Sequence, residues 1–268
     1  MDAPRSTAEY TNALIINSVG MLPGASADYT SPSMNVQNIK KHRLHKFLTH
    51  PLNKPTKMRR LPVYLLIDTS GSMKGEPIES VKVGLETMIS SLRQDPFALE
   101  SVCISIITFD KEVKQILPLT PLDDLQLPEI TTPDSGPTHT GQALQLLCRM
   151  IDTEVRMSSP DQKGDWMPLL FLMTDGKPSD IQLYKEMIPE VKKRRFAGII
   201  ACAAGMKART EPLKELTDEV YALDTVDSTA FRKFFKWVSD SIGIGNRSIG
   251  ATDVLELPPP PEEVNLIL

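Results

Sequence analysis

Between Leu61 and Asp224 the chain alternates short, unbroken apolar runs with longer segments whose apolar residues recur every three or four positions. That alternation constrains the fold more than any other feature. VYLLID (63–68), SVCISIITF (101–109), LLFLMTD (169–175), FAGIIACAAG (196–205) and VYALD (220–224) are too short and too continuously apolar for surface helices. They read as strands buried on both faces of a parallel sheet. VKQILPL (113–119) alternates and reads as an antiparallel edge strand. Between them, Ile78–Arg93 carries Val81, Leu85, Met88, Ile89 and Leu92 at helical spacing, and Gly141–Val155 carries Ala143, Leu144, Leu147 and Ile151. Ser179–Arg195, with Ser179 as its N-cap, a short helix near Glu211–Thr217 and an aromatic-rich helix over Ser228–Ile242 complete the series. The expected architecture is α/β: a doubly wound, mainly parallel central sheet with helices on both faces and one antiparallel edge strand.

The flanks differ in texture. Residues 1–60 hold nine Lys/Arg and three acids, and Lys40–Arg60 alone holds eight Lys/Arg and no acid. With the whole chain at −4, residues 61–268 carry −10. The expected organisation is a basic, weakly ordered extension (1–60), the α/β domain (61–245) and a Pro-rich tail (246–268). The basic stretch has one aromatic, Phe47, to stack on bases, so it reads as a solvated leader without specific nucleic-acid recognition. His42, His45 and His50 fall in it without a thiol or carboxylate beside them. In the tail, Pro258–Pro261 reads as polyproline II, and the apolar tip, Val264 to Leu268, as a segment for strand addition or a frayed end.

Cys103, Cys148 and Cys202 are odd in number and far apart, each within an apolar stretch, so they read as reduced core thiols. The sequence starts MDAPRSTAEY, without a basic segment and apolar stretch, and no apolar run approaches membrane-spanning length. A cytoplasmic location is the expectation.

In doubly wound sheets, ligands bind outside the carboxyl ends of the strands near the switch point. Three features converge there. Asp68-Thr69-Ser70-Gly71-Ser72 follows the first strand, Gly136-Pro137-Thr138-His139-Thr140-Gly141 precedes a helix, and Thr174-Asp175-Gly176 follows the third buried strand. Two carboxylates with several hydroxyls form a hard-oxygen donor set. It suits Mg²⁺ or Mn²⁺ first and also accommodates Ca²⁺, rather than zinc or copper. Asp110, after the second strand, reads as a supporting or turn acid. Thr140 reads as a loop-supporting hydrogen bonder and His139 as solvent-facing.

The D-x-S-x-S motif, the Thr loop and T-D-G resemble the metal-ion-dependent adhesion site of the von Willebrand factor A family, whose fold is Rossmann-like; the resemblance covers about residues 61–242. It implies Asp68, Ser70, Ser72, Thr138 and Asp175 as metal ligands, some through water. Pro137 departs from the Gly that many members carry before the Thr. MRRLPVYLLIDTSGSMKGEPIESV (58–81) and the LPPPPEEVNLIL tail narrow the resemblance to bacterial tellurium-resistance TerY-type proteins, stand-alone intracellular A domains. That subfamily starts near the position of Met58, so residues 1–57 are an extension relative to it. Its setting implies a stress-response phosphorylation system, with a kinase or phosphatase among the partners.

Two functions compete. One is a non-enzymatic binding module, in which a partner protein donates a carboxylate or other anionic oxygen to the metal. The alternative is a metal-dependent phosphohydrolase using Asp68. Such enzymes need a second acid two residues on, where Ser70 stands, and no activated nucleophile–base pair is visible. The binding module is the expectation.

Overall fold

The computed structural model describes residues 59–205, 208–223, 228–248, 257–262 and 264–267. The basic stretch apart from Arg59 and Arg60, the three leader histidines and the extension 1–57 lie outside the described residues. Strand β1 (Leu61–Asp68) is followed by helices α1 (Glu76–Arg93) and α2 (Pro96–Ser101), then strands β2 (Val102–Phe109) and β3 (Val113–Pro121). Next come α3 (Thr140–Glu154), β4 (Leu169–Thr174), α4 (Ile181–Lys193), β5 (Gly198–Ala204), α5 (Glu211–Leu216) and β6 (Val220–Leu223). The chain closes with α6 (Ser228–Ser248) and β7 (Val264–Leu266).

The seven strands lie in the order β3-β2-β1-β4-β5-β6-β7. The five central strands are parallel, β3 pairs antiparallel with β2, and β7 pairs antiparallel with β6. The expected α/β class is therefore the observed one. Connections run outward in opposite directions from β1 and β4, so the switch point lies between these two strands, and their carboxyl ends frame a crevice.

Strand periodicity explains why both faces are covered. Along β1, Val63, Leu65 and Ile67 point into a core shared with Leu85 and Met88 of α1 and Phe231 and Phe235 of α6. Tyr64 and Leu66 point the other way, among Leu144 and Leu147 of α3 and Tyr184 of α4. A strand with successive side chains on opposite faces must be apolar throughout when both faces are packed. The aromatic side chains of α6 are all buried, Trp237 packing against Tyr221 with ring centroids 4.6 Å apart and planes tilted by 58°. Cys103, Cys148 and Cys202 are buried thiols, none of them in a disulfide.

Several elements differ from expectation. The first strand starts at Leu61 and the last helix runs on to Ser248. Ser179 does not cap α4, which begins after Asp180. Helix α2 was not anticipated; it is six residues long, too short for a periodic signal, and is opened by Asp95, whose side chain accepts the Phe97 N–H at 2.9 Å. The apolar tip of the tail follows its strand-addition reading, and it gives the sheet a second antiparallel edge where one was expected, with Leu223 opposite Val264 and Tyr221 opposite Leu266. Pro258 precedes it, and its carbonyl accepts the Trp237 indole N–H at 2.9 Å.

Arg59 and Arg60 are not part of a solvated leader. The Arg59 guanidinium lies 3.6 Å over the Trp166 ring, and Arg60 forks onto the Asp165 carboxylate at 2.9 and 2.5 Å. Among the described residues no helix is long and apolar enough to cross a membrane.

Candidate metal centre

The carboxyl end of β1 delivers Asp68 to the crevice, fully buried. Its Oδ1 accepts the Ser70 N–H at 2.8 Å, which turns the chain back over the carboxylate. Its Oδ2 accepts the Thr174 hydroxyl at 2.5 Å, tying the ends of β1 and β4 together. A carboxylate offers about four lone-pair directions, so each oxygen keeps acceptor capacity after these bonds. The turn Gly71–Met73 closes through the Met73 N–H to Ser70 C=O bond at 2.9 Å. Gly71 has no alternative here: a Cβ would lie 2.6 Å from Ser135 Cα, because the 134–135 segment packs directly on this turn.

The turn aligns a row of oxygens. Ser70 Oγ and Ser72 Oγ are 3.1 Å apart, and the Ser72 hydroxyl donates to Asp175 Oδ1 at 2.9 Å. Thr138 is buried beside them, with its Oγ1 close enough to Gly176 that an added Cβ there would sit 3.3 Å away. Its backbone is pinned on both sides by Ser179. The Thr138 N–H donates to Ser179 Oγ at 3.0 Å, and the Ser179 N–H donates to Thr138 C=O at 2.8 Å. Asp68, Ser70, Ser72 and Asp175 are thus joined in one hydrogen-bonded chain, and Thr138 borders it across Gly176.

Neighbouring residues hold this arrangement. Asp180 caps a helix other than its own: its two oxygens accept the Gly141 and Gln142 N–H groups of α3 at 3.0 and 2.8 Å. The Thr69 hydroxyl donates to Asp110 Oδ2 at 3.0 Å, while Asp110 Oδ1 accepts the Glu112 N–H at 2.7 Å. Asp110 is therefore both a turn acid and a brace for the metal loop. Thr140 departs from expectation, since its buried hydroxyl makes no hydrogen bond. His139 is half-buried, with Nδ1 3.2 Å from the Lys111 carbonyl. Ser179 and Asp180 carry no motif signal, because each acts on a residue distant in sequence; Thr174 belongs to the T-D-G motif, but its bond to Asp68 is not legible from it.

The electrostatics favour a cation. Burial pushes the Asp68 carboxyl up to about 6, against the pull of the Ser70 and Thr174 hydrogen bonds, and the Asp175 charge pushes the same way. Burial also raises Asp175, opposed by the Ser72 hydroxyl. No cationic side chain is among the causes acting on either acid. Two desolvated carboxylates with hydroxyls between them are a poor ensemble alone and a good match for a hard divalent ion. Among the described residues no set of three His, Cys, Asp or Glu side chains is placed to hold a metal ion, so the donor set here rests on hydroxyls as much as acids.

Comparison with known proteins follows the same line. The profile of the von Willebrand factor type A domain matches residues 63–236. Bovine (Bos taurus) matrilin-1 is 27% identical over 214 residues, covering 73% of this chain and 38% of its own length. Chicken (Gallus gallus) matrilin-3 is 27% identical over 168 residues, covering 61% of this chain and 35% of its own length. The chain thus spans under two-fifths of the length of these relatives. A von Willebrand factor type A structure from Catenulispora acidiphila superposes with a TM-score of 0.51 at 16% identity, covering 68% of this chain and 42% of that one. The pilus adhesin SpaC of Lactobacillus rhamnosus GG superposes with a TM-score of 0.54 at 13% identity, covering 72% and 32% respectively. These two likenesses concern the fold alone.

Proposed function

Because the chain belongs to the von Willebrand factor type A domain family, we propose that it is a non-enzymatic protein-binding module whose partner docks through a divalent cation held by Asp68, Ser70, Ser72, Thr138 and Asp175. The observation that carries the reading is the row Ser70–Ser72–Asp175 beside a fully buried Asp68, at the crevice between β1 and β4. Two carboxylates balance the charge of a divalent ion, and the remaining donors are neutral. With its other donors neutral, a bound ion would stay electrophilic at an open coordination position and attract an anionic oxygen, most strongly where water is excluded. Mg²⁺ or Mn²⁺ suits this oxygen set, and Ca²⁺ is accommodated.

The residues of the chain do the rest. Ser179 and Asp180 hold the Thr138 loop, Gly71 lets the first turn lie against residues 134–135, and Asp110 braces Thr69. The phosphohydrolase reading lacks its second acid: Ser70 occupies that position, with its hydroxyl 3.1 Å from that of Ser72. The partner in this proposal is a protein presenting a carboxylate. The resemblance of residues 58–81 and the tail to TerY-type proteins supports a cytoplasmic setting and a kinase or phosphatase of a tellurium-resistance or stress-response system as that partner.

The test uses immobilised full-length protein and lysate of the native cell. Partner capture should require Mg²⁺ or Mn²⁺ and be lost with chelator and with Asp175→Ala, and the purified protein should show no phosphatase turnover above an Asp68→Ala control. Capture that survives excess chelator, or metal-dependent turnover lost in that control, would contradict the proposal.

A further inference from the structure

The opposite pole of the sheet carries a second feature that the metal centre does not use. At the amino ends of β4 and β5 a cleft of about 550 Å³ opens between the carboxyl ends of α4 and α5. Met167, Phe196 and Ile199 line it, half-buried, and the rim carries Lys192, Arg194 and Arg195 from the basic run 192–195.

Cations at helix carboxyl ends ordinarily offset the helix dipole, and that accounts for two of the three. Arg194 donates to the Glu190 carbonyl at 2.7 Å and pairs with Asp152 at 2.5 Å. Lys192 Nζ donates to the Glu215 carbonyl of α5 at 2.8 Å, a neutral partner that leaves its charge unmatched. Arg195 does neither: it is exposed and has no ion-pair or hydrogen-bond partner among the described residues. The one acid lining the cleft is Asp218. The uncommitted Arg195 and the unmatched charge of Lys192, against the single acid Asp218, therefore stand over an apolar floor on a domain whose residues 61–268 carry −10 overall. An acidic partner is repelled by most of this surface and attracted here, which is how charge complementarity selects a docking face.

We propose that this cleft binds an acidic protein segment that inserts one large apolar side chain between Met167, Phe196 and Ile199 while its carboxylates meet Arg195 and Lys192. Strand β4 has six residues, so the cleft lies about 20 Å along the sheet from the metal centre. The module can then hold one partner through the metal and a second segment at the other pole, and the two sites are chemically independent.

The probe is a fluorescent peptide with one Phe flanked on each side by Glu-Glu, titrated into the full-length protein in chelator so that metal binding plays no part. Saturable binding is expected, weakening as salt rises. Arg195→Glu and Lys192→Glu should each weaken it at least about ten-fold, whereas Lys82→Glu, the same charge change on α1, should alter it less than about two-fold. Replacing the peptide Phe with Ser should also weaken it markedly. No saturable binding, equal losses in all three variants, or indifference to the Phe would overturn the proposal, leaving at most diffuse attraction. None of these outcomes touches the metal reading, because no divalent cation is present.

Discussion

Replacing Asp68 with Asn should make the metal-free protein more stable, although it disables the centre. In the folded state burial holds this carboxyl at about 6, against 3.8 for an ordinary Asp, so ionising it costs the fold roughly 3 kcal/mol more than it costs the unfolded chain. A raised carboxyl contributes stability below pH 4, where both states are protonated or nearly so. That contribution is lost as pH climbs through about 6. Asn never ionises, so it avoids the loss. Its carbonyl still accepts the Ser70 N–H, but the Thr174 hydroxyl must turn from donor to acceptor, at a cost of about 1 kcal/mol. The net gain near pH 7.5 is then about 2 kcal/mol, equivalent to about 1 M in urea midpoint for a domain of this size. Urea unfolding of both proteins in chelator at pH 7.5 and pH 4.5 measures it. The advantage of Asp68→Asn should be large at the higher pH and small at the lower. Mg²⁺ at about 100 times its dissociation constant should return roughly 2.7 kcal/mol to the wild type alone and erase the difference. A variant less stable than wild type at pH 7.5 in chelator, or a pH-independent difference, would refute the claim that Asp68 is electrostatically unsatisfied without a cation.

Ser179→Ala removes the acceptor of the buried Thr138 N–H and should cost about 1–2 kcal/mol in thermal unfolding, together with a several-fold loss of metal affinity that a remote destabilising change would not produce. Asp165→Ala leaves the Arg60 guanidinium without its carboxylate at a largely buried ion pair and should cost about 3 kcal/mol or more by urea unfolding. Hydrogen exchange should find the Ile267 amide protected well beyond a free peptide, because it donates to the Val220 carbonyl at 2.8 Å; exchange at the free-peptide rate would remove β7 from the sheet.

What the sequence reveals and what it hides divide along physical lines. The five central strands are legible because burial on both faces leaves few places for polar residues, and β1 shows this plainly, with eight buried residues in a row. Asp68, Ser70, Ser72 and Asp175 are legible because strand ends at a switch point collect in one crevice. The errors arise where partners are remote. Ser179 stands before a helical segment and looks like its cap, yet its hydroxyl serves the Thr138 backbone across the crevice. Asp180 caps α3 although it immediately precedes α4, and local sequence cannot show to which helix a side chain turns. Helix α2 is too short to carry a period, and the strand character of the apolar tip is legible in the sequence while the edge it joins, β6, is not. Arg59 and Arg60 sit in a basic run whose charge suggests solvent, and only the fold brings Trp166 and Asp165 against them.

The central claim is that the buried Asp68 carboxylate, the half-buried Asp175 carboxylate and their neighbouring hydroxyls hold one divalent cation. Calorimetric titration of Mn²⁺ into the full-length protein, beside Asp68→Ala and Asp175→Ala, tests it most directly. One ion per chain should bind to the wild type, with affinity lowered by an order of magnitude or more in each variant, and folding of the variants verified by circular dichroism. Equal binding in all three folded proteins, or none in the wild type, would contradict the account.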